Sequence, residues 1–452
     1  MKPQANAEFE LGSTSTTLAE LMGAFSYALD LTEGQPEGHS IRSCYIAMQI
    51  AQALGLDRKE SETVYYATML KDLGCSSNAA RIAEIYLADD RSFKHDFKLV
   101  GEGLAPALKF VFTRTGVGHT LPGKAKAIAN ILRNGPEIAR GLIETRCERG
   151  AEIARLLRFS EPVAEAIYNL DEHWDGSGKP FGKSGMNVPM TSRIALLAQI
   201  ADVFVTNAGP EAAINEIARH SGGWLDPELC QTFKQVAKSP DFWRDLTSED
   251  LPERVFLLQP QTGDLHVDED FLDDIASAFG QVIDAKSPYT SGHSMRVGTY
   301  FDAVAQRMGL GDADRRRMRR AAILHDVGKL GVSSTVLEKP GKLDDNEWVA
   351  MRGHAEHTLH ILSRIGPFRE MAGIAAAHHE RLDGAGYPFG LDEKLIPLEA
   401  RIITVSDFFD ALTADRPYRA AMPTAQALDI MEAEVGKAVD PDCFRALKAS
   451  LA

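Results

Sequence analysis

The chain repeats itself, and the repeat limits what it can fold into. Gly38-His39-Ser40-Ile41-Arg42 is matched by Gly292-His293-Ser294-Met295-Arg296, 254 positions on. Met69-Leu70-Lys71-Asp72-Leu73-Gly74 is matched by Ile323-Leu324-His325-Asp326-Val327-Gly328 in the same register. The glycine-rich stretches Asp175 to Gly182 and Asp383 to Gly390 match 208 positions apart, as do Arg193-Ile194 and Arg401-Ile402. The change of register places an insertion in the first copy between Gly74 and Arg146, with 98–123 as its expected site. Between these anchors the sequence reads as helix. Thr17-Leu18-Ala19-Glu20 has the form of a capping box and opens a helix to about Leu31. Further helices are predicted over 40–54 and 58–73 from their apolar faces. The expectation is an all-α protein of two tandem helical bundles: a flexible tail over 1–17, a first domain over 18–236, a linker over 237–270 and a second domain over 271–452. Two apolar runs in the linker, Val255 to Leu258 and Leu265 to Val267, flank a Pro- and Gly-containing stretch and predict a short β-hairpin.

Composition narrows the function classes. A net charge of −15 over 452 residues argues against non-specific binding to nucleic acid or to an anionic membrane. An anionic substrate would need a local positive site. No apolar run reaches membrane-spanning length, and no basic-then-apolar leader pattern opens the chain, so a cytoplasmic location is expected. Five scattered cysteines without a C-x-x-C pair fit reduced thiols.

The chemistry is concentrated in the second half. Leu324-His325-Asp326-Val327-Gly328-Lys329 sets an imidazole beside a carboxylate after an apolar run. Read alone, it is also an ordinary helix C-terminus with glycine and lysine capping. The wider pattern favours metal binding. His293, the His325-Asp326 pair, His354 and the His378-His379 pair fall at the ends of four successive predicted helices, and Asp407 lies in an apolar fifth. Ligands of this kind project from facing helices into the core of a bundle. Two divalent ions need about this many ligands, and a shared carboxylate can hold both. Asp326 is the best bridging candidate. Lys329, one turn on, would lie near a phosphoryl oxygen. His357 and His360 read as surface residues.

The second half resembles the HD-GYP family, the glycine-tyrosine-proline branch of the HD phosphohydrolases. The resemblance runs from Asp284 to Arg419. It rests on the His325-Asp326 pair, the His378-His379-Glu380-Arg381 run, the Gly386-Tyr387-Pro388 loop and the run Ser406 to Leu412, in family order. It implies hydrolysis of a cyclic dinucleotide, cyclic di-GMP first, to the linear dinucleotide and onward to GMP. Cyclic GMP-AMP, another phosphate ester, or a non-catalytic cyclic-dinucleotide receptor are the alternatives. It implies two divalent metal ions, Fe or Mn ahead of Mg, Zn, Ni or Co, held by His293, His325, Asp326, His354, His378, His379 and Asp407. Asp326 and Lys329 would be catalytic, and Lys329, Tyr387, Arg416 and Arg419 would contact substrate, unless the two arginines only staple their loop. The Gly-Tyr-Pro loop would also meet a diguanylate cyclase (GGDEF) partner, and a homodimer is a further expectation. Two departures stand out. Tyr289 occupies the position where three-metal members carry a glutamate, which favours two ions, and Ala355 follows the third histidine where a proline is usual.

The same registers show what the first half lacks. His325 becomes Lys71, Lys329 becomes Cys75, His354 becomes Arg146, the His378-His379 pair becomes Leu170-Asp171, Asp407 becomes Gln199 and Tyr387 becomes Lys179. Only His39 and Asp72 survive. Lys71 places a positive charge where a cation would lie, and is expected to pair with Asp72. The first half is therefore expected to be metal-free and inactive. Its expected role is to sense a ligand, to dimerise or to hold the second half in a productive pose. Trp174 is expected to pack in the core.

Overall fold

The computed structural model describes residues 17–100, 103–117, 119–260, 267–415 and 419–451. The expected tail thus lies almost wholly outside the described residues. No β-strand occurs among the described residues, and none of their helices is long and apolar enough to cross a membrane. Thr17 and Glu20 form the anticipated capping box of helix Leu18–Glu33. Helix His39–Leu54 begins after Gly38, and its counterpart His293–Arg307 after Gly292. The third helix stops at Met69, four residues short of the expected end, because the chain turns to bring Lys71 and Asp72 inward. The linker differs from expectation. Its first apolar run belongs to helix Leu251–Leu257, which Pro252 favours at a helix start. A second helix, Pro240–Leu246, precedes it. The hairpin's remaining residues, 261–266, lie outside the described residues.

The two copies carry the same internal contacts. Asp30 accepts hydrogen bonds from the Ser40 N–H at 3.1 Å and hydroxyl at 2.8 Å; Asp284 does so for Ser294 at 3.2 and 2.7 Å. His39 Nδ1 is 2.6 Å from Asp202, and His293 Nδ1 is 2.7 Å from Asp410. Arg42 and Arg296 each bind the same aspartate from the other side, both at 2.6 Å. Gly74 and Gly328 lie so close to a neighbouring helix that a Cβ would run into the carbonyl of Arg146 or of His354. That helix is Leu121–Leu156 in the first copy and Asp345–Ser363 in the second.

The copies do not keep separate cores. One apolar cluster runs through both. At its middle the rings of Phe25 and Phe279, equivalent residues in the repeat, stack with centroids 3.6 Å apart, and Phe368 meets Phe25 edge-on. Like residues meeting face to face is the signature of a two-fold interface, here formed within one chain. Helix Leu18–Glu33 thereby packs against the turn Val327–Gly331 of the other copy. The stretch between Gly74 and Arg146, where the register changes, includes helices Ala79–Tyr86, Asp90–Phe97 and Leu104–Arg114 over a small core of Ile82, Phe93, Phe110, Ile138 and Leu142.

Phe25→Ala and Phe279→Ala are each expected to cost about 3–5 kcal/mol, as for other buried aromatic truncations. Because the rings touch, the double variant should lose less than the sum. Denaturant unfolding followed by circular dichroism measures both.

Candidate metal centre

The second half brings its candidate ligands to one point. His293 opens helix His293–Arg307, and His325 and Asp326 follow helix Asp312–Leu324 directly. His354 lies in the middle of helix Asp345–Ser363 rather than at its start, because Asp344 and Glu347 form a capping box that begins the helix nine residues earlier. His378 and His379 end a short turn after helix Arg369–Ala376, and Asp407 lies within helix Leu398–Thr413.

The two oxygens of Asp326 face different partners. Oδ2 is 3.5 Å from His293 Nε2 and 3.3 Å from His325 Nε2. Oδ1 is 3.5 Å from His354 Nε2 and 3.7 Å from His378 Nε2. Asp407 Oδ1 joins the first group, 3.4 Å from His293 and 3.7 Å from His325. His379 joins the second, within 4.8 Å of His354 and His378. The result is two adjoining donor sets that share Asp326.

The other face of each ring is already bound. His325 Nδ1 contacts the Ala322 carbonyl at 2.7 Å, His354 Nδ1 that of Met351 at 2.5 Å, and His378 Nδ1 that of Ala375 at 2.6 Å. Carbonyls only accept, so Nδ1 donates and Nε2 presents its lone pair to the centre. Outer partners orient metal ligands in this way. Asp410 does the same for His293. The inner atoms His293 Nε2, His325 Nε2 and Asp326 Oδ1 are buried without a hydrogen-bond partner. Three such groups would each cost about 1–3 kcal/mol if left alone. A divalent cation in each set satisfies them, so the donor set fits the metals that this chemistry implies.

The electrostatics agree. Burial alone would lower the His325 pKa, yet Asp326 and Asp407 outweigh it and pull it up to about 10, a measure of how strongly this pocket attracts positive charge. Burial pushes His354 down to about 4 and His379 to about 3, which leaves neutral imidazoles ready to coordinate. Burial opposes the charge on Asp326, but His325 and Lys329 hold its pKa well below the usual carboxylate range.

Lys329 places Nζ 2.5 Å from Asp326 Oδ2. It opens onto a cleft of about 710 Å³ floored by His293 and Asp326 and rimmed by Tyr289, Trp348, Lys339 and Lys342. Tyr387 packs on His379 at 4.8 Å between ring centroids, and its N–H donates to the His379 carbonyl. Gly386 and Pro388 flank it in the same loop. Of the two roles open to Arg419, the contacts present are those of a staple: its guanidinium donates to the carbonyls of Ala411, Leu412 and Ala420 at the end of helix Leu398–Thr413. Arg416 lies outside the described residues.

Several supporting residues escaped sequence reasoning. Asp410 is one; a signal existed, since Asp202 keeps its place in a half that has lost Asp407. Thr358 accepts the Gly328 N–H and donates to the His325 carbonyl, locking the turn to its neighbouring helix. Glu380 accepts the N–H groups of Phe389, Gly390 and Leu391, closing the glycine-rich loop. Arg352 lies over the rings of Trp348 and Tyr387 at 5.7 and 5.4 Å.

The first half fills the equivalent space with its own cations. Lys71 Nζ is 2.5 Å from Asp72, and Lys98 Nζ is 2.7 Å from Glu33. Arg146 pairs with Asp171. Glu33, Asp72 and Cys75 are close enough to hold an ion, but these amines already neutralise them. Trp174 is half-buried under the Arg193 guanidinium rather than in the apolar core expected for it.

A family described as HD domain matches residues 135–229 and 278–443, part of each copy and more than half of the chain. The chain belongs to the HD domain family. Its histidine-aspartate pair and Gly-Tyr-Pro loop put it in the HD-GYP branch, with a degenerate first copy. The 3'3'-cGAMP-specific phosphodiesterase 3 of Vibrio cholerae is 49% identical over 96% of this chain and 94% of its own length. The cyclic di-GMP phosphodiesterase response regulator RpfG of Xanthomonas campestris is 40% identical over 38% of this chain and 46% of its own length. A crystal structure of a cyclic GMP-AMP specific phosphodiesterase of V. cholerae aligns with a TM-score of 0.65 at 45% identity, covering 96% of this chain and 97% of that one.

Equilibrium dialysis against Mn²⁺ with elemental analysis should find two ions per chain. Asp326→Ala should lower occupancy of both sets, because it serves both, whereas Asp72→Ala should leave the count unchanged.

Proposed function

We propose that this protein is a metal-dependent phosphodiesterase that opens a phosphodiester bond of a cyclic dinucleotide in its second half, with 3'3'-cGAMP as the preferred substrate. The observation that carries the reading is the placement of Asp326 between two imidazole groups at the floor of a lysine-rimmed cleft. The quoted relative named for 3'3'-cGAMP and the quoted cyclic GMP-AMP phosphodiesterase structure each match 96% of the chain, whereas the quoted relative named for cyclic di-GMP matches 38% of it. This moves cyclic GMP-AMP ahead of cyclic di-GMP, the first expectation from the motifs.

His293, His325, Asp326 and Asp407 would hold one ion, and Asp326, His354, His378 and His379 the other, with Mn or Fe as the metals. When bound, such ions supply Lewis acidity at phosphoryl oxygens and activate water. The remaining work falls to side chains. Lys329, anchored by Asp326, would neutralise charge growing on the scissile phosphate. A cyclic dinucleotide has a second phosphate, and Lys342 at the rim offers charge for it, beside Lys339, which pairs with Glu347. Tyr289 and Trp348 offer flat faces for the purines. A cleft of about 710 Å³ falls within the range of about 300–1,000 Å³ usual for small-molecule sites. The outer face of the Gly-Tyr-Pro loop, with Phe389 and Leu395 exposed, suits a protein partner such as a diguanylate cyclase.

The test is turnover by Mn²⁺- or Fe²⁺-loaded protein of 3'3'-cGAMP, cyclic di-GMP and cyclic di-AMP, followed by chromatography. The linear dinucleotide is the expected product, fastest from 3'3'-cGAMP. Asp326→Ala should abolish turnover, and Lys329→Ala should lower kcat on the order of 100-fold. Asp72→Ala should keep kcat near the parent value. Absence of turnover of all three by fully loaded protein overturns the reading.

A further inference from the structure

The first half reaches into the second. Helix Asp90–Phe97 lies between Gly74 and Arg146, where the register of the repeat changes, and its first two residues reach toward the turn that carries Lys329. Asp90 is fully buried. Its Oδ1 accepts the Ser334 N–H at 2.7 Å, and its Oδ2 faces Lys286 Nζ at 3.8 Å. Lys286, equally buried, donates to the Leu330 carbonyl at 2.8 Å. Arg91 donates through Nε to the Leu31 carbonyl at 2.8 Å and through Nη1 to the Gly331 carbonyl at 2.5 Å. The two carbonyls that follow Lys329 in sequence are thus gripped by a chain of charged groups rooted in the metal-free half.

We propose that Asp90 and Arg91 are positioning residues for the turn 326–331. Through them the first half, in the same chain, holds Asp326 and Lys329 in register with the surrounding imidazoles. The turn is a short 3₁₀ segment, Val327–Gly331. One side of it is fixed by Thr358 and the other by this brace. Asp326 must face two donor sets at once, so a small rotation of the turn degrades both. The proposal rests on the second-half centre being the catalytic one. It assigns the first half a mechanical task that needs no ligand of its own.

The experiment uses the full chain with Arg91→Ala, Asp90→Asn, Asp90→Ala and the double variant Asp90→Ala/Lys286→Met, which leaves no stranded buried charge. Five quantities are read: kcat and KM with the cyclic dinucleotide, Mn²⁺ affinity by calorimetry, amide hydrogen exchange over 327–334, and melting temperature. Arg91→Ala and both Asp90→Ala proteins should lose kcat by about 10–100-fold, the range seen when outer partners of metal ligands are removed. KM should change little, Mn²⁺ affinity should fall, and exchange over 327–334 should quicken while exchange over 39–54 does not. Asp90→Asn keeps an acceptor for the Ser334 N–H and should recover most of the activity. Arg91 is only partly buried, so its variant tests the idea even if Asp90→Ala fails to fold. A lowered melting temperature with kcat and Mn²⁺ affinity unchanged would mean plain packing and would overturn the proposal. If the parent protein turns over no cyclic dinucleotide, the functional reading fails, and Mn²⁺ affinity and hydrogen exchange still decide whether the brace exists.

Discussion

A single buried carboxylate organises this structure. Asp326 has one oxygen toward His293 and His325 and the other toward His354 and His378, with almost no access to water. An ionised group in that setting needs positive charge from somewhere. Lys329 supplies part of it, and the geometry of the inward-facing Nε2 atoms leaves room for divalent ions to supply the rest. Much around the site serves to keep that arrangement fixed. Helix carbonyls set the histidine tautomers, Thr358 pins the turn, and Gly328 lets the turn approach the helix that bears His354.

The first copy shows which of these features belong to the frame and which to the chemistry. The Asp30–Ser40 contacts, the His39–Asp202–Arg42 cluster and the buried Glu172 that closes its glycine loop all persist. These hold helices together whether or not a metal is present. The residues that changed are those facing the centre. There Lys71, Lys98 and Arg146 take over the charge balance that a cation would otherwise provide. Both halves solve one electrostatic problem, one with ligands for an ion and the other with amines and a guanidinium.

Much of this was legible in the sequence. The registers of the repeat located Asp72 and Arg146 opposite Asp326 and His354, and the close approach at both Gly74 and Gly328 agrees with that pairing. The ligand types were legible because imidazoles and carboxylates in an apolar setting have few other uses. The rest depended on contacts between distant segments. Asp410 and Glu380 look like ordinary acids until their partners are placed. His354 lies mid-helix because the capping pair Asp344 and Glu347 starts its helix nine residues earlier. The amphipathic pattern of Leu18–Glu33 shows that one face is covered, but not that the other copy covers part of it. The same holds for Asp90, whose partners lie some 200–240 residues away.

The packed charges of the first copy also make its history hard to reverse. Replacing Lys71 by histidine would leave Asp72 short of its partner while Lys98 still occupied the neighbouring space. Removing Lys98 first would leave Glu33 with only the more distant Lys94, at 3.6 Å. Each single step back toward a metal site crosses a state with an unbalanced charge in a dry interior, a substantial penalty. Selection acting one residue at a time would therefore tend to keep this half as a scaffold once its amines were in place, and leave the burden of chemistry on its twin.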